Sequence, residues 1–71
     1  MRVIKVVGKH YLTGEGVAQF FDWHEDSHKL TRSSWHSRNS GTFCKTLEDA
    51  GAMAIEIAKG KGIVDATALF M

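Results

Sequence analysis

The chain contains no proline and a single cysteine, Cys44, so it can form no disulfide within itself. A lone thiol is typical of proteins from a reducing compartment, which predicts a cytoplasmic location. The first residues contain no long apolar run, and no segment is apolar over the length that crosses a membrane. We therefore expect no signal peptide and no contact with a membrane.

The sequence also has no marked excess of one charge, since nine Lys and Arg residues stand against eight Asp and Glu residues. This balance argues against a general nucleic-acid binder, which usually carries a clear basic excess. A chain of 71 residues predicts one domain over residues 1–71. A core of that size leaves little room for a deep pocket. These features favour a binding or structural module over an enzyme.

The clearest local pattern lies in residues 46–70 and predicts a helix followed by a strand. Thr46 can cap the helix, and Asp49 follows three residues later. Apolar or small residues then recur at helical spacing: Leu47, Ala50, Gly51, Ala54, Ile57 and Ala58. We predict a helix from Thr46 to Lys59 that buries Leu47, Ala54 and Ile57. A strand over residues 63–70 follows, and its alanines would let the helix lie close to it.

Three further segments have strand-like composition, and turn residues separate them. The predicted strands are 2–7, 17–23 and 28–36, with turns around Gly8 and residues 13–16, 24–27 and 39–41. Phe43 is predicted to anchor the first turn of the helix. The resulting fold class is α+β, a small antiparallel sheet of three to four strands with one helix on one face (β-β-β-α-β).

The predicted sheet has one face that no second helix covers. The strand 17–23 contains Phe20, Phe21 and Trp23, so alternation places aromatic rings on both faces. One face is expected to pack under the helix, and the other to leave an aromatic side chain exposed or beneath a loop. Exposed residues on that second face are where we expect function.

Neither the histidines nor the cysteine forms a recognisable catalytic or metal-binding motif. His24 and His28 are four residues apart, but their segment lacks a helical apolar stripe and a second ligand pair. Cys44 precedes a predicted helix N-terminus, where a thiolate is favoured, yet no oxyanion motif accompanies it. We therefore predict no metal, no cofactor and no enzymatic activity, with Cys44 a small buried residue.

The polar segment 29–38 is the predicted partner-binding site. Its candidate residues are Lys29, Arg32, Trp35, His36 and Arg38. Arg and Trp are enriched at interface hot spots, and basic residues beside an aromatic also suit single-stranded nucleic acid. A third interpretation is a polar edge strand whose charges prevent aggregation. Alternation along a strand places Trp35 opposite Arg32, which weakens a single-surface interpretation.

Residues 43–70 resemble those of small phage-encoded inhibitor modules, such as short anti-CRISPR proteins and the short phage inhibitor of host RNA polymerase. The resemblance is carried by Phe43, the Thr46-Leu47-Glu48-Asp49-Ala50 helix start, Ala54, Ala58 and the strand 63–70. It implies a stoichiometric inhibitor that binds and blocks a host defence or transcription complex, a protein or ribonucleoprotein in the host cytoplasm. The alternative is a small nucleic-acid-binding module that uses the basic and aromatic strand.

Overall fold

The structure, a computed structural model, describes residues 2–32 and 41–71. These residues form one antiparallel sheet with one helix packed on one of its faces. The elements in chain order are β1 (Arg2–His10), β2 (Gly16–His24), β3 (Lys29–Arg32), β4 (Thr42–Phe43), α1 (Leu47–Gly60) and β5 (Ile63–Phe70). The strand order across the sheet is β4-β3-β2-β1-β5, so β1 and β2 are central.

The predicted α+β class, with an antiparallel sheet and one helix, is confirmed. The strand count differs, because the described residues form five strands in the order β-β-β-β-α-β. The additional strand, β4, consists of Thr42 and Phe43, which pair with Leu30 and Lys29 of β3. Two residues are too few to show an alternating pattern, so β4 is defined only by its neighbour.

The first hairpin is longer than its sequence pattern predicts. The predicted strand ended at Val7 and Gly8 began a turn, but β1 continues through Gly8 to His10. Pairing with β2 extends to Lys9 opposite Gly16, which holds Gly8 inside the ladder. The prediction of a turn at Gly8 was therefore wrong.

The core lies between α1 and one face of the sheet. Ile4 and Val6 of β1 are fully buried, as is Phe21 of β2. Trp23 lies beside them, and its indole N–H donates a 3.1 Å hydrogen bond to the carbonyl oxygen of Cys44. That bond ties the centre of the sheet to the segment that enters the helix.

The helix begins as predicted, with Thr46 as its N-cap. The Thr46 hydroxyl accepts a 3.1 Å hydrogen bond from the backbone N–H of Asp49, which satisfies one of the free donors of the first turn. The helix ends at Gly60, and the N–H of Lys61 closes the last turn on the carbonyl of Ala58. Gly62 has a φ of 87°, a conformation that glycine adopts without strain, and the chain turns there into β5.

Small residues form the part of the helix that lies closest to the sheet. The buried helical residues are Ala50, Gly51, Ala54 and Ala58. Burial of Ala54 is confirmed, whereas Leu47 and Ile57 are only half-buried and pack against the core from the sides of this stripe. A Cβ atom on Gly51 would lie 2.6 Å from Cζ of Phe70, so larger side chains on this part of the helix would push α1 away from β5.

Phe43 does not anchor the helix, so that prediction was wrong. Its side chain is 63% exposed, and Cys44 is the residue buried at this point. The backbone explains the exchange, because the N–H of Cys44 donates to the carbonyl of His28 at 2.8 Å. That bond and the bond from Trp23 hold Cys44 against the core and leave Phe43 outside.

Candidate functional site

The face of the sheet opposite α1 is the candidate functional site, and we call it the open face. Directly paired residues of an antiparallel sheet point to the same side, so the register defines this face row by row. In its central row Lys5 of β1 stands between Phe20 of β2 and Leu69 of β5. Phe20 lies on an interior strand and Leu69 on the edge strand β5, and they remain 44% and 46% exposed.

The rows on either side of Lys5 continue the same mixture of apolar and polar side chains. In one direction Val3 pairs with Asp22, and Asp22 pairs with Thr31 of β3. In the other direction Val7 lies between Ala18 and Thr67, and Lys9 pairs with Val64. The open face is therefore apolar at its centre, and lysines interrupt it.

Electrostatics distinguishes the open face from the outer surface of the helix. Lys5 Nζ lies 5.8 Å from the centroid of the Phe20 ring, within the range of a cation–π interaction. Lys9, and Lys29 beside His24, add two further positive charges to this side of the sheet. The exposed acids of α1 lie on the opposite side of the molecule: Glu48, Asp49 and Glu56. The open face therefore presents three lysines and the acid Asp22 around an apolar centre.

A polar cluster limits the accessible part of the open face on the β3 side. The Thr31 hydroxyl lies 3.2 Å from Nε2 of His24 and donates a 3.5 Å hydrogen bond to the carbonyl of Asp22. Thr31 is buried as a result. A ligand on this face would thus contact β2, β1 and β5 rather than the centre of β3.

The residues predicted to bind a partner do not share one face of the sheet. Lys29 pairs with His24 and points to the open face, whereas Arg32 pairs with Phe21 and points to the helix side. Trp35, His36 and Arg38 lie outside the described residues. The partner-binding role of segment 29–38 stays a prediction, and of its five candidate residues only Lys29 is described as part of the open face.

Two residues of the central row, Lys5 and Leu69, were not singled out by the sequence. Phe20 was recognised as an aromatic on a second face, and its exposure confirms that expectation. Alternation along β1 and β5 could have placed Lys5 and Leu69 on the open face, but only after the strand register is known.

The two histidines nearest each other in sequence are engaged in different local contacts. His24 approaches Thr31, while the ring of His28 lies 5.8 Å from the rings of both Trp23 and Phe43. No group of three or more His, Cys, Asp or Glu residues is placed to hold a metal ion within residues 2–32 and 41–71. The absence of a metal or cofactor stays a prediction from the sequence.

Cys44 has the environment of a structural thiol. It is 4% exposed, and burial, together with the nearby carboxylate of Asp49, raises the pKa of its thiol above the ordinary value. Cys44 also borders a shallow groove of about 480 Å³ that Phe43, Met53 and Glu56 help to line. A raised pKa keeps the thiol protonated at neutral pH, which disfavours nucleophilic chemistry in that groove.

We expect Cys44 to react slowly with a thiol reagent in the folded protein and quickly after unfolding in urea. Because the folded chain holds the thiol proton at a pH where the unfolded chain releases it, stability should fall as pH rises through the alkaline range. Cys44→Ala should flatten this part of the pH profile. Rapid reaction of native protein, followed by absorbance of the released product, would contradict the described burial.

Comparison with known proteins adds no family assignment. No protein-family model matches the sequence, and neither a curated protein nor a solved structure matches the chain. Among the described residues, no helix has the length and apolar character needed to span a membrane.

Proposed function

We propose that this chain is a protein-binding module that contacts its partner through the open face. The observation that carries the proposal is the central row, where Phe20 and Leu69 flank Lys5 on a side of the sheet that no described element covers. Exposed apolar patches on small domains mark interaction sites, since leaving large apolar side chains in water is unfavourable. Fully covering a Phe or Leu side chain contributes about 1.5–3 kcal/mol.

The charges of the open face define the chemistry of the partner. Lys5, Lys9 and Lys29 surround or border the apolar centre and outnumber Asp22, the acid that the register places on the same face. A complementary partner surface has an apolar centre with Asp and Glu residues at its rim. Such charge pairs accelerate association and lose strength as salt rises, whereas the apolar centre supplies most of the affinity.

The proposed role of this binding is inhibition. A stoichiometric inhibitor needs a surface rather than a catalytic centre, and the raised pKa of the Cys44 thiol is consistent with that. The resemblance of residues 43–70 to small phage inhibitors implies that the partner is a host protein or ribonucleoprotein complex of defence or transcription. Occupying part of such a complex would block it without chemistry.

One observation favours a second candidate, single-stranded nucleic acid. The cation–π pair of Lys5 and Phe20 combines the two features that such ligands use, a positive charge and a ring for base stacking. A second exposed ring, Phe43, pairs with Lys29 at the far edge of the sheet, and the other apolar side chains of the open face are aliphatic: Val3, Val7, Ala18, Val64 and Leu69. The aliphatic side chains beside Phe20 offer shape complementarity to a protein but no continuous stacking platform, because β3 separates Phe43 in β4 from Phe20 in β2, so we favour the protein partner.

The experiment is a comparison of three variants in binding to a host complex captured by the wild-type chain. Phe20→Ala should weaken binding by about 30-fold or more, the loss expected for a hot spot of about 2 kcal/mol. Lys5→Glu should mainly slow association, and the difference should shrink at high salt. Leu12→Ala is the matched control, because Leu12 is an exposed apolar residue in the loop between β1 and β2.

Wild-type affinity in the Phe20→Ala variant, measured by surface plasmon resonance, would remove the open face from the proposal. A parallel titration with labelled single-stranded DNA and RNA tests the second candidate. Binding that weakens steeply with salt and is lost in Lys5→Glu would favour nucleic acid over a protein partner.

A further inference from the structure

β5 forms one edge of the sheet, and the register shows which of its residues direct their backbone groups away from the sheet. The N–H of Met71 donates to the carbonyl of Val3 at 2.9 Å, so residue 71 directs its backbone groups toward β1. Hydrogen-bonded and non-hydrogen-bonded positions alternate along an antiparallel pair. Ala66, Ala68 and Phe70 therefore direct their N–H and C=O groups away from β1, and no strand among the described residues pairs with that side.

The part of β5 from Ala66 to Phe70 lacks the features that usually prevent an edge strand from pairing with another strand. Natural edge strands are protected by charged side chains, proline or a bulge. Asp65 supplies both a charge and an irregularity, since its φ is 52° and the register with β1 shifts beside it. From Ala66 to Phe70 the strand contains no charged residue and no proline, and its pairing with β1 from Thr67 onward is regular.

We propose that β5 pairs in antiparallel fashion with β5 of a second copy of the chain, about a two-fold axis at Ala68. Ala68 then faces the partner's Ala68. Ala66 faces the partner's Phe70, and Phe70 faces the partner's Ala66. Each of these three pairs exchanges two backbone hydrogen bonds, which gives six bonds in all. The two sheets become one continuous sheet.

The side chains opposed by this register carry no charge, and the smallest of them meets the largest. On the helix side, the small Ala66 meets the partner's Phe70, whose ring is 48% exposed in the single chain and reaches the Gly51 position of α1. On the open face, Thr67 meets the partner's Leu69. No like charges are opposed within residues 66–70, because none of these residues is charged.

Self-complementarity is the reason for choosing a second copy over another occupant. An isologous contact requires one patch that fits itself, with each residue meeting its counterpart across the axis. The segment from Ala66 to Phe70 meets this requirement when the axis passes through Ala68, because the small Ala66 then lies opposite the large Phe70 of the other copy. The pairing uses the backbone edge of β5, so it leaves Phe20 and Lys5 of the proposed partner contact free and shares only Leu69 and Thr67 with the open face.

The first test is sedimentation equilibrium of the full chain from micromolar to millimolar concentration, with the Ala68→Pro variant beside it. Proline at an outward N–H leaves the bonds to β1 intact but removes the central donor and blocks approach of a second strand. The wild-type chain should be dimeric at the upper concentrations, and Ala68→Pro should be monomeric throughout while its circular dichroism stays native. A wild-type chain that is monomeric at millimolar concentration overturns the proposal, as does a dimer that persists in Ala68→Pro.

The second test fixes the register by disulfide trapping. Positions 67 and 69 of opposite copies form non-hydrogen-bonded pairs, whose Cα atoms lie about 4.5 Å apart, within disulfide range. The double variant Thr67→Cys with Leu69→Cys should form a covalent dimer under mild oxidation. Thr67→Cys alone and Leu69→Cys alone are the controls, because each new thiol then faces a residue without sulfur. Equal cross-linking of the single and double variants would exclude this register.

Discussion

Replacing Phe21 with alanine is expected to lower the free energy of unfolding by about 3–5 kcal/mol, whereas replacing the adjacent Phe20 should lower it by only about 1 kcal/mol. The two residues are neighbours in β2 but point to opposite faces. Phe21 is fully buried against Ile4 and α1, while Phe20 is 44% exposed on the open face. The first change leaves a cavity in the core, and the second removes a side chain that water already reaches.

The size of the chain makes the Phe21 effect decisive. A domain of 71 residues has a stability of roughly 4–10 kcal/mol at ordinary per-residue values, so the expected loss is a large part of the total. Urea unfolding followed by circular dichroism measures both variants, and Trp23 provides a fluorescent probe within the core. Similar losses for Phe20→Ala and Phe21→Ala would contradict the assignment of the two rings to different faces.

The segment from Thr46 to Phe70 was predictable because its determinants are local. A capping hydroxyl, apolar residues at helical spacing and a glycine turn all act within a few residues of one another. The structure has α1 and β5 where these signals place them. The close approach of the two elements was also predictable, since glycine and alanine occupy the facing positions, as the contact between Gly51 and Phe70 shows.

Features that depend on pairing between distant residues could not be predicted in the same way. Thr42–Phe43 becomes a strand only because β3 lies beside it, and Gly8 stays in β1 because Gly16 pairs with its neighbour. Exclusion of Phe43 from the core depends on a backbone bond between Cys44 and His28. None of these contacts produces a repeating pattern of residue types in the local sequence, so they cannot be predicted from neighbouring residues alone.

The candidate site shows the same division between local and long-range information. Residues 29–38 are basic and aromatic in a continuous segment, so the sequence directs attention to them. Alternation in β3 nevertheless sends Lys29 and Arg32 to opposite faces. The central row of the open face consists of Lys5, Phe20 and Leu69, which are far apart in sequence and meet only through the register of three strands.

A close packing contact at Gly8 gives the second large effect that we expect. Gly8→Ala should destabilise the protein by about 3 kcal/mol, the upper part of the range for overpacking. A Cβ atom at this position would lie 2.6 Å from the carbonyl oxygen of Val64 and 2.6 Å from Cγ2 of Ile63. The oxygen belongs to the backbone of β5, and it cannot move away without disturbing the pairing of Val64 with Lys9.

The irregularity in β5 explains why glycine is needed there. The register between β1 and β5 shifts between Val7 and Lys9, and Asp65 has a φ of 52° on the opposite strand. Glycine within a strand commonly permits such a bulge, because the two backbones can then approach closely. Gly8→Ala would force the strands apart where β1 holds the edge strand.

Gly16→Ala is the matched control for this experiment. Gly16 begins β2, its φ is not in the left-handed region, and a Cβ atom there would meet no atom within 4 Å. Alanine should therefore be neutral or stabilise by about 0.4–1 kcal/mol through a less flexible unfolded chain. Thermal and urea unfolding of the two variants should separate them clearly. A Gly8→Ala midpoint equal to that of Gly16→Ala would show that β1 and β5 do not approach as closely as described.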